Sequence, residues 1–141
     1  MMTAHWRLAL LIITLAVSGC MTPGPGTAIT YSGDLHTNDT QLRMTGTIHD
    51  TTGSGPFDNV TVYFYTDSRD LITATDVGTL TGQQDITASV SPVPEYIVID
   101  SPDFWEQDRI DVVYFKREPG ENYTEHTATA RQDLPVQPSR S

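Results

Sequence analysis

The chain of 141 residues contains one cysteine, Cys20, and one lysine, Lys116. A single thiol cannot form a disulfide within the chain, so the fold has to be stable on its core alone. Basic residues are few as well, because eight Lys and Arg stand against 18 Asp and Glu and give a net charge of −10. This charge argues against nucleic acid and anionic lipid headgroups as electrostatic partners.

Motifs of catalysis are also missing. The sequence has no G-x-S-x-G nucleophile motif, and GSGP at residues 53–56 lacks the lysine and helix of a phosphate-binding loop. The histidines downstream of Cys20, which are His36, His49 and His126, share no metal-ligand spacing. The sequence therefore predicts no catalytic residue, no bound metal and no cofactor.

The first 19 residues have the order of an export signal. Arg7 lies in a start without acids, residues 8–17 are apolar except for one threonine, and two small residues precede Cys20. The apolar run is shorter than the about 20 residues that a membrane-spanning helix needs. A buried core helix is the alternative, but the position of the run and the Gly-Pro stretch after it favour a signal peptide at 1–19.

V-S-G-C at residues 17–20 resembles the lipobox of lipoprotein signal peptides, with Val17 in place of the usual leucine. The resemblance implies that Cys20 receives a diacylglyceryl group and that cleavage before it leaves a chain of 122 residues. Two acyl chains are enough for stable membrane anchoring. Residues 20–27 are then the lipidated cysteine and a Gly/Pro spacer at the extracytoplasmic face of the cell membrane.

Residues 28–118 alternate apolar and polar side chains in short runs that turn-forming residues separate, without helical periodicity. Seven strands are predicted, at 28–35, 42–49, 60–65, 71–77, 85–90, 95–100 and 109–116. The first, second and fifth alternate cleanly, whereas the third, sixth and seventh are apolar on both faces. This partition is typical of an all-β, Ig-like antiparallel β-sandwich. Residues 119–141 are polar and are predicted to be a flexible C-terminal tail.

Two families of β-sandwich resemble parts of this region. The FxLyD domain, a small Ig-like sandwich of exported microbial proteins, is similar to MTGTIHD (44–50), NVTVYFYTDSRDLI (59–72) and TLTGQQDITASV (79–90). Residues 62–65 occupy its Phe-x-Leu-Tyr position, with Val62 for the phenylalanine and Thr66 for the following aspartate. Residues 46–62 also resemble a carboxypeptidase-regulatory or transthyretin-like sandwich. Neither resemblance implies a catalytic site.

The third predicted strand suggests a partner surface. Val60, Val62 and Phe64 share one face and are assigned to the core, so Tyr63 and Tyr65 point to the other side of the sheet. An apolar outer face is a candidate patch for an unidentified protein partner at the cell envelope. The alternative is that the spacer or the C-terminal tail covers this face.

Three N-x-[ST] sequons predict possible N-glycosylation of an exported chain, at Asn38, Asn59 and Asn122. Asp greatly outnumbers Glu, and loss of Arg7 would bring the net charge to −11. This surface is typical of proteins from extreme halophiles, and an ordinary acidic secreted protein is the alternative.

An acidic loop follows the sixth predicted strand. DSPDFWEQD at 100–108 contains Asp100, Asp103, Glu106 and Asp108, but it lacks the EF-hand order of acids and glycine. The sequence thus predicts a membrane-anchored extracytoplasmic lipoprotein that is a non-enzymatic binding or interaction module at the cell surface. The alternative is a calcium- or metal-dependent ligand binder, or a small hydrolase, that uses this loop.

Overall fold

A computed structural model describes residues 27–106, 110–119 and 122–138. The predicted signal peptide and Cys20 lie outside these residues. The described residues form eight strands and two short 3₁₀-helices, at Pro102–Glu106 and Arg131–Asp133. The strands are Ile29–Thr37 (β1), Leu42–Asp50 (β2), Phe57–Tyr65 (β3), Leu71–Leu80 (β4), Gln83–Val90 (β5), Tyr96–Asp100 (β6), Val112–Arg117 (β7) and Tyr123–Ala128 (β8). Within this part of the chain, no helix has the length and hydrophobicity that crossing a membrane requires.

The strands form one continuous sheet in the order β4-β3-β6-β7-β1-β2-β5, and β8 pairs with β7. The sheet folds over on itself, so that a layer of β1-β2-β5 packs against a layer of β4-β3-β6-β7 across one core. All pairings are antiparallel except one, in which Ile29 and Val112 join β1 to β7 in parallel. The predicted all-β sandwich is therefore confirmed. The predicted partition is also confirmed. The cleanly alternating strands lie in one layer, and the strands that are apolar on both faces lie in the other.

The core lies between the layers. Val60, Val62 and Phe64 of β3 are fully buried, as their predicted face requires. Tyr31 of β1 meets Phe115 of β7 edge-on, with ring centroids 5.8 Å apart. Such pairs add to the hydrophobic burial of both rings, so they hold the two layers at a defined separation.

One end of the core is closed by the 3₁₀-helix after β6. Phe104 in this helix is completely buried and packs edge-on against Phe57, with the centroids 5.1 Å apart. Trp105, the next residue, is partly buried and contacts the core from the side. The acidic segment 100–106 thus carries two aromatic side chains inward, while the side chains of Ser101 and Asp103 bond to the backbone of Asp58.

A pair of glycines allows β1 and β2 to approach beneath Tyr31. Gly33 and Gly46 are directly opposite in the ladder. The hydroxyl of Tyr31 lies over them and donates to the Asp34 carbonyl at 2.9 Å. A Cβ on Gly46 would collide with the Ser32 carbonyl, the Gly33 backbone and this hydroxyl. Burial, together with the charge of Asp34, raises the pKa of Tyr31.

The structure corrects the prediction of a flexible tail. Residues 123–128 form β8, which pairs with β7 over its whole length, and the chain then continues through the 3₁₀-helix at 131–133. The polar sequence YTEHTA gave little strand signal because an edge strand gains its backbone hydrogen bonds from its neighbour without a run of apolar side chains. The domain therefore extends beyond residue 118 and includes residues 122–138.

Gly46→Ala should lower the free energy of unfolding by about 3 kcal/mol, the upper range for overpacking in a rigid environment. Backbone atoms on two sides leave the new methyl group no direction in which to move. Urea denaturation would measure the change, with Thr45→Ala at the neighbouring exposed position as the control. Equal stability of the two variants would show that the ladder tolerates a wider spacing here.

Candidate functional site

The predicted partner patch lies on the side of β3 that faces away from the core. Tyr63 and Tyr65 stack at 6.3 Å between ring centroids. They belong to a second apolar cluster with Tyr96 and Val98 of β6 and Tyr114 of β7. We call these five residues the aromatic face. The direction in which Tyr63 and Tyr65 point agrees with the sequence prediction.

The aromatic face is covered by the C-terminal part of the chain. Leu134 and Val136 pack on it from residues 129–138, which we call the C-terminal cover. Tyr65 is consequently only 4% exposed, and Tyr63 is half-buried. The predicted open partner patch at Tyr63 and Tyr65 is therefore wrong, and its stated alternative, coverage by the tail, is what the structure has. The polar tail sequence concealed the two apolar residues that make this contact.

A charge pair fixes the cover to the sheet. Arg131 Nε lies 3.8 Å from Asp100 Oδ2, and the Asp100 side chain is 4% exposed. Asp100 also accepts a hydrogen bond from Trp105 Nε1 at 2.6 Å. Arg131 further donates to the side chain of Gln137 at 3.2 Å and to the Pro138 carbonyl. Removing one partner of a buried pair leaves the other charge unpaired, so these contacts define the position of the cover.

A second arginine holds the cover from the opposite side. Arg69, in the turn between β3 and β4, donates from Nε to the Pro135 carbonyl at 3.1 Å. Its guanidinium carbon lies 5.4 Å from the ring centroid of Tyr96. Burial, then the charges of Tyr63 and Asp100, raise the pKa of Tyr65 to about 12, although Arg131 acts against this. Tyr65 therefore stays neutral over the physiological range.

The acidic loop does not assemble a metal site among its described residues. Asp100 binds Trp105 and Arg131, whereas Asp103 Oδ2 accepts the backbone N–H of Asp58 at 2.8 Å. The described parts of the chain hold no group of three or more His, Cys, Asp or Glu that could bind a metal ion. Asp108 lies outside them. The carboxylates of Asp100 and Asp103 thus serve contacts that hold loops and the cover in place.

The sandwich has two distinct ends. The entry end, where the described chain begins at Thr27, also carries the turns at 51–56 and 81–82 and the 3₁₀-helix at 102–106. The far end carries the turns at 38–41, 66–70 and 91–95. Four of the five Lys and Arg among the described residues lie near the far end, at Arg43, Arg69, Lys116 and Arg117. Acids dominate the entry end, including Asp50, Asp58, Asp103, Glu106 and Asp111.

The predicted glycan acceptors are exposed but are divided between these ends. Asn38 lies in the β1–β2 turn and Asn122 precedes β8, so both are at the far end. Asn38 Oδ1 accepts the backbone N–H groups of Thr40 and Gln41, at 2.8 and 2.9 Å. Asn59 lies in β3 near the entry end with a positive φ of 55°. Glycosylation at any of the three stays a prediction.

The outer face of the β1-β2-β5 layer carries two depressions. One, of about 500 Å³, lies between Asp34, His36 and Arg43 towards the far end. The other, of about 460 Å³, lies at the entry end and is lined by side chains from β1, β2 and the β4–β5 turn. We call the second the threonine pocket, since Thr30, Thr51 and Thr81 line it.

The loop beside the threonine pocket is held by one carboxylate. Asp50 Oδ1 accepts the backbone N–H groups of Thr52 and Gly53, each at 3.1 Å, and Oδ2 accepts that of Gly55 at 2.8 Å. Burial alone would raise the pKa of Asp50, but these donors hold it below its usual value. Asp50 is therefore ionised near neutral pH, and its carboxylate holds the backbone of residues 52–55 in place beside the pocket.

Comparisons with protein-family models, with curated proteins and with solved structures find no match to this chain. The lipobox and the FxLyD-like sandwich thus stay resemblances on the residues that carry them. Sequence reasoning offered coverage by the tail only as the alternative, and it missed the threonine pocket. Leu134 and Val136, two apolar residues spaced by a proline, were the only signal for the cover.

Leu134→Ala should lower the free energy of unfolding by about 2 kcal/mol, the lower value for truncating a buried leucine. Leu134 is 4% exposed at the centre of the cover, so the lost methyl groups leave a cavity over the aromatic face. Gln132→Ala, at an exposed position of the same segment, is the matched control. If both variants unfold at the same urea concentration, the cover does not contribute to stability.

The melting temperature should rise steeply with KCl. A net charge of −10 makes the domain repel itself, and salt shortens the range of that repulsion from about 10 Å at 0.1 M to about 3 Å at 1 M. Sucrose at matched osmolality is the control, because it stabilises by exclusion without screening charge. A melting temperature that responds equally to both would count against an adaptation to high salt.

Proposed function

We propose that the chain is a lipid-anchored extracytoplasmic lipoprotein whose sandwich is a non-enzymatic binding module at the cell surface. One observation carries the proposal. The lipobox-like V-S-G-C ends only seven residues before Thr27, where the described β-sandwich begins. An export signal, a single cysteine and a compact domain thus follow one another with nothing but a short Gly/Pro spacer between them.

This short spacing determines how the domain is presented. Seven residues span at most about 25 Å when fully extended, at about 3.5 Å per residue. The entry end therefore faces the membrane and the far end faces outward. Acids at the entry end are repelled by anionic headgroups over roughly one Debye length, about 8 Å at physiological salt. The short spacer thus holds the domain near the membrane, while charge repulsion keeps its acidic end out of contact with the headgroups.

The surfaces left for a partner are those that the chain does not cover itself. The C-terminal cover occupies the outer face of the β3-β6-β7 layer. The outer face of the β1-β2-β5 layer carries both depressions, and the far end presents three turns between strands. Turns held by a rigid sandwich are where binding residues are commonly found. The proposed protein partner at the cell envelope would therefore meet the β1-β2-β5 face or the far end.

Cys20→Ser should abolish membrane anchoring, because a hydroxyl cannot replace the thiolate that is alkylated. The variant is expected either to accumulate as an uncut precursor or to appear in the medium. Detergent phase partitioning and intact mass of the purified chain would measure both. Ser18→Ala is the control, since it keeps a small residue beside an unchanged cysteine.

Equal partitioning of Cys20→Ser and the unchanged chain into the detergent phase would refute the lipid anchor. The same mass spectra would report sugar at Asn38, Asn59 or Asn122, because each glycan adds mass beyond that of the lipid.

A further inference from the structure

The three N-x-[ST] sequons lie in different kinds of backbone. Asn38, Asp39 and Thr40 are in the turn between β1 and β2, and all three residues are exposed. The other two sequons, which begin at Asn59 and Asn122, run into strands. An enzyme that modifies a folded chain has to bind the whole tripeptide, and the backbone of a paired strand is already occupied by its ladder. The structure therefore separates one accessible sequon from two that are built into the sheet.

The sequon that begins at Asn59 belongs to a central strand. β3 lies between β4 and β6, and Thr61 is paired with Asp76 on one side and with Asp100 on the other. Val60, the middle residue, is fully buried in the core. Asn59 itself is exposed, but the rest of its tripeptide can enter another active site only if β3 leaves the sheet. Exposure of the asparagine alone therefore does not make this sequon accessible.

The sequon that begins at Asn122 is held in β8 by its tyrosine. Tyr123 packs against the core, and its hydroxyl donates to the Pro94 carbonyl at 2.6 Å. Thr124 is paired with Lys116 of β7. An enzyme that bound this tripeptide would have to break the tyrosine hydrogen bond and open the ladder between β7 and β8. The second strand-bound sequon is thus closed to modification as well.

The side chain of Asn38 is positioned by its own turn. Oδ1 accepts the backbone N–H of Thr40 at 2.8 Å, the hydroxyl of Thr40 at 3.2 Å and the backbone N–H of Gln41 at 2.9 Å. Three donors at one atom identify that atom as the amide oxygen, so the other branch of the amide is Nδ2. Nδ2 donates to no other residue within the part of the chain that the structure describes. The turn therefore holds the amide by its oxygen and leaves its nitrogen open to solvent.

We propose that Asn38 is the glycan acceptor of the folded chain and that Asn59 and Asn122 stay unmodified. In the transfer, Nδ2 forms a bond to C1 of a sugar that is carried on a lipid phosphate. The bond between C1 and the phosphate oxygen breaks, the phosphate leaves with the electron pair, and a carboxylate of the transferase takes one proton from Nδ2. The inference rests on the export proposed above and not on the lipid anchor. A bulky, hydrated glycan at Asn38 would stand at the far end, which faces away from the membrane in the proposed arrangement.

The test is peptide mapping by mass spectrometry of the full chain, purified from the membranes of the cells in which it is native. Cyanogen bromide cuts after methionine and trypsin cuts after Lys and Arg, so the three acceptors fall in separate fragments, at 22–43, 45–69 and 118–131. The lipid of Cys20 stays on a fourth fragment, because the chain is cut after Met21. The mass of a sugar is expected on fragment 22–43 alone.

Four variants of the full chain test the role of the turn. Asn38→Asp should lose the sugar completely, because a carboxylate oxygen can accept the three hydrogen bonds of the turn but offers no amide nitrogen. Thr40→Ser, which keeps the backbone N–H and the hydroxyl of residue 40, should retain the sugar. Asn59→Gln and Asn122→Gln are the matched controls and should leave the mass of the sugar unchanged. Circular dichroism would verify that each variant keeps its strands.

Each outcome of the mapping supports or overturns the assignment. Sugar on 45–69 or 118–131 would show that the transferase acts before the strands form, and it would overturn the choice of Asn38. A chain without sugar on any of the three fragments would refute the acceptor site. The lipoprotein proposal is decided separately, since lipid at Cys20 is measured on its own fragment. Sugar at Asn38 on a chain without lipid would support this inference and refute the anchor.

Discussion

Every residue of β6 is buried, and a strand buried on both faces needs a layer of protein on each side. The core between the two layers covers one face, through Ile97 and Ile99. The other face carries Tyr96 and Val98, which the C-terminal cover encloses. The position of the cover, the buried pair of Asp100 and Arg131, and the closed aromatic face all follow from this double burial. A sandwich of seven strands without the cover would leave half of β6 in water.

The seven predicted strands and their division into layers were accessible from the sequence because alternation with period 2 records which faces are buried. The face of β3 was accessible for the same reason, since Val62 and Phe64 are more apolar than their neighbours. The segment that covers the other face could not be predicted from the sequence. Its position depends on β8, and β8 pairs with β7 through backbone hydrogen bonds. The sequence thus predicted correctly that Tyr65 points away from the core, and wrongly that it lies on an open surface.

The threonine pocket could not be predicted for a different reason. One threonine in a threonine-rich chain has no local signal, and the pocket exists only where β1, β2 and the β4–β5 turn meet. The acidic segment 100–106 shows the converse. Its carboxylates attracted a metal-binding interpretation in sequence, yet Asp100 and Asp103 are occupied by Trp105, Arg131 and a backbone N–H. In so acidic a chain, several carboxylates close together in the sequence do not predict a metal site. The groups that each carboxylate contacts in the fold determine its role.

The order of the chain also determines when the C-terminal cover can form. Residues 134–138 follow all eight strands in the chain, so they are synthesised after the strands that carry the aromatic face. Until they arrive, Tyr65, Tyr96 and Val98 have nothing over them. A chain that lacks these residues therefore exposes an apolar aromatic surface that the cover otherwise buries.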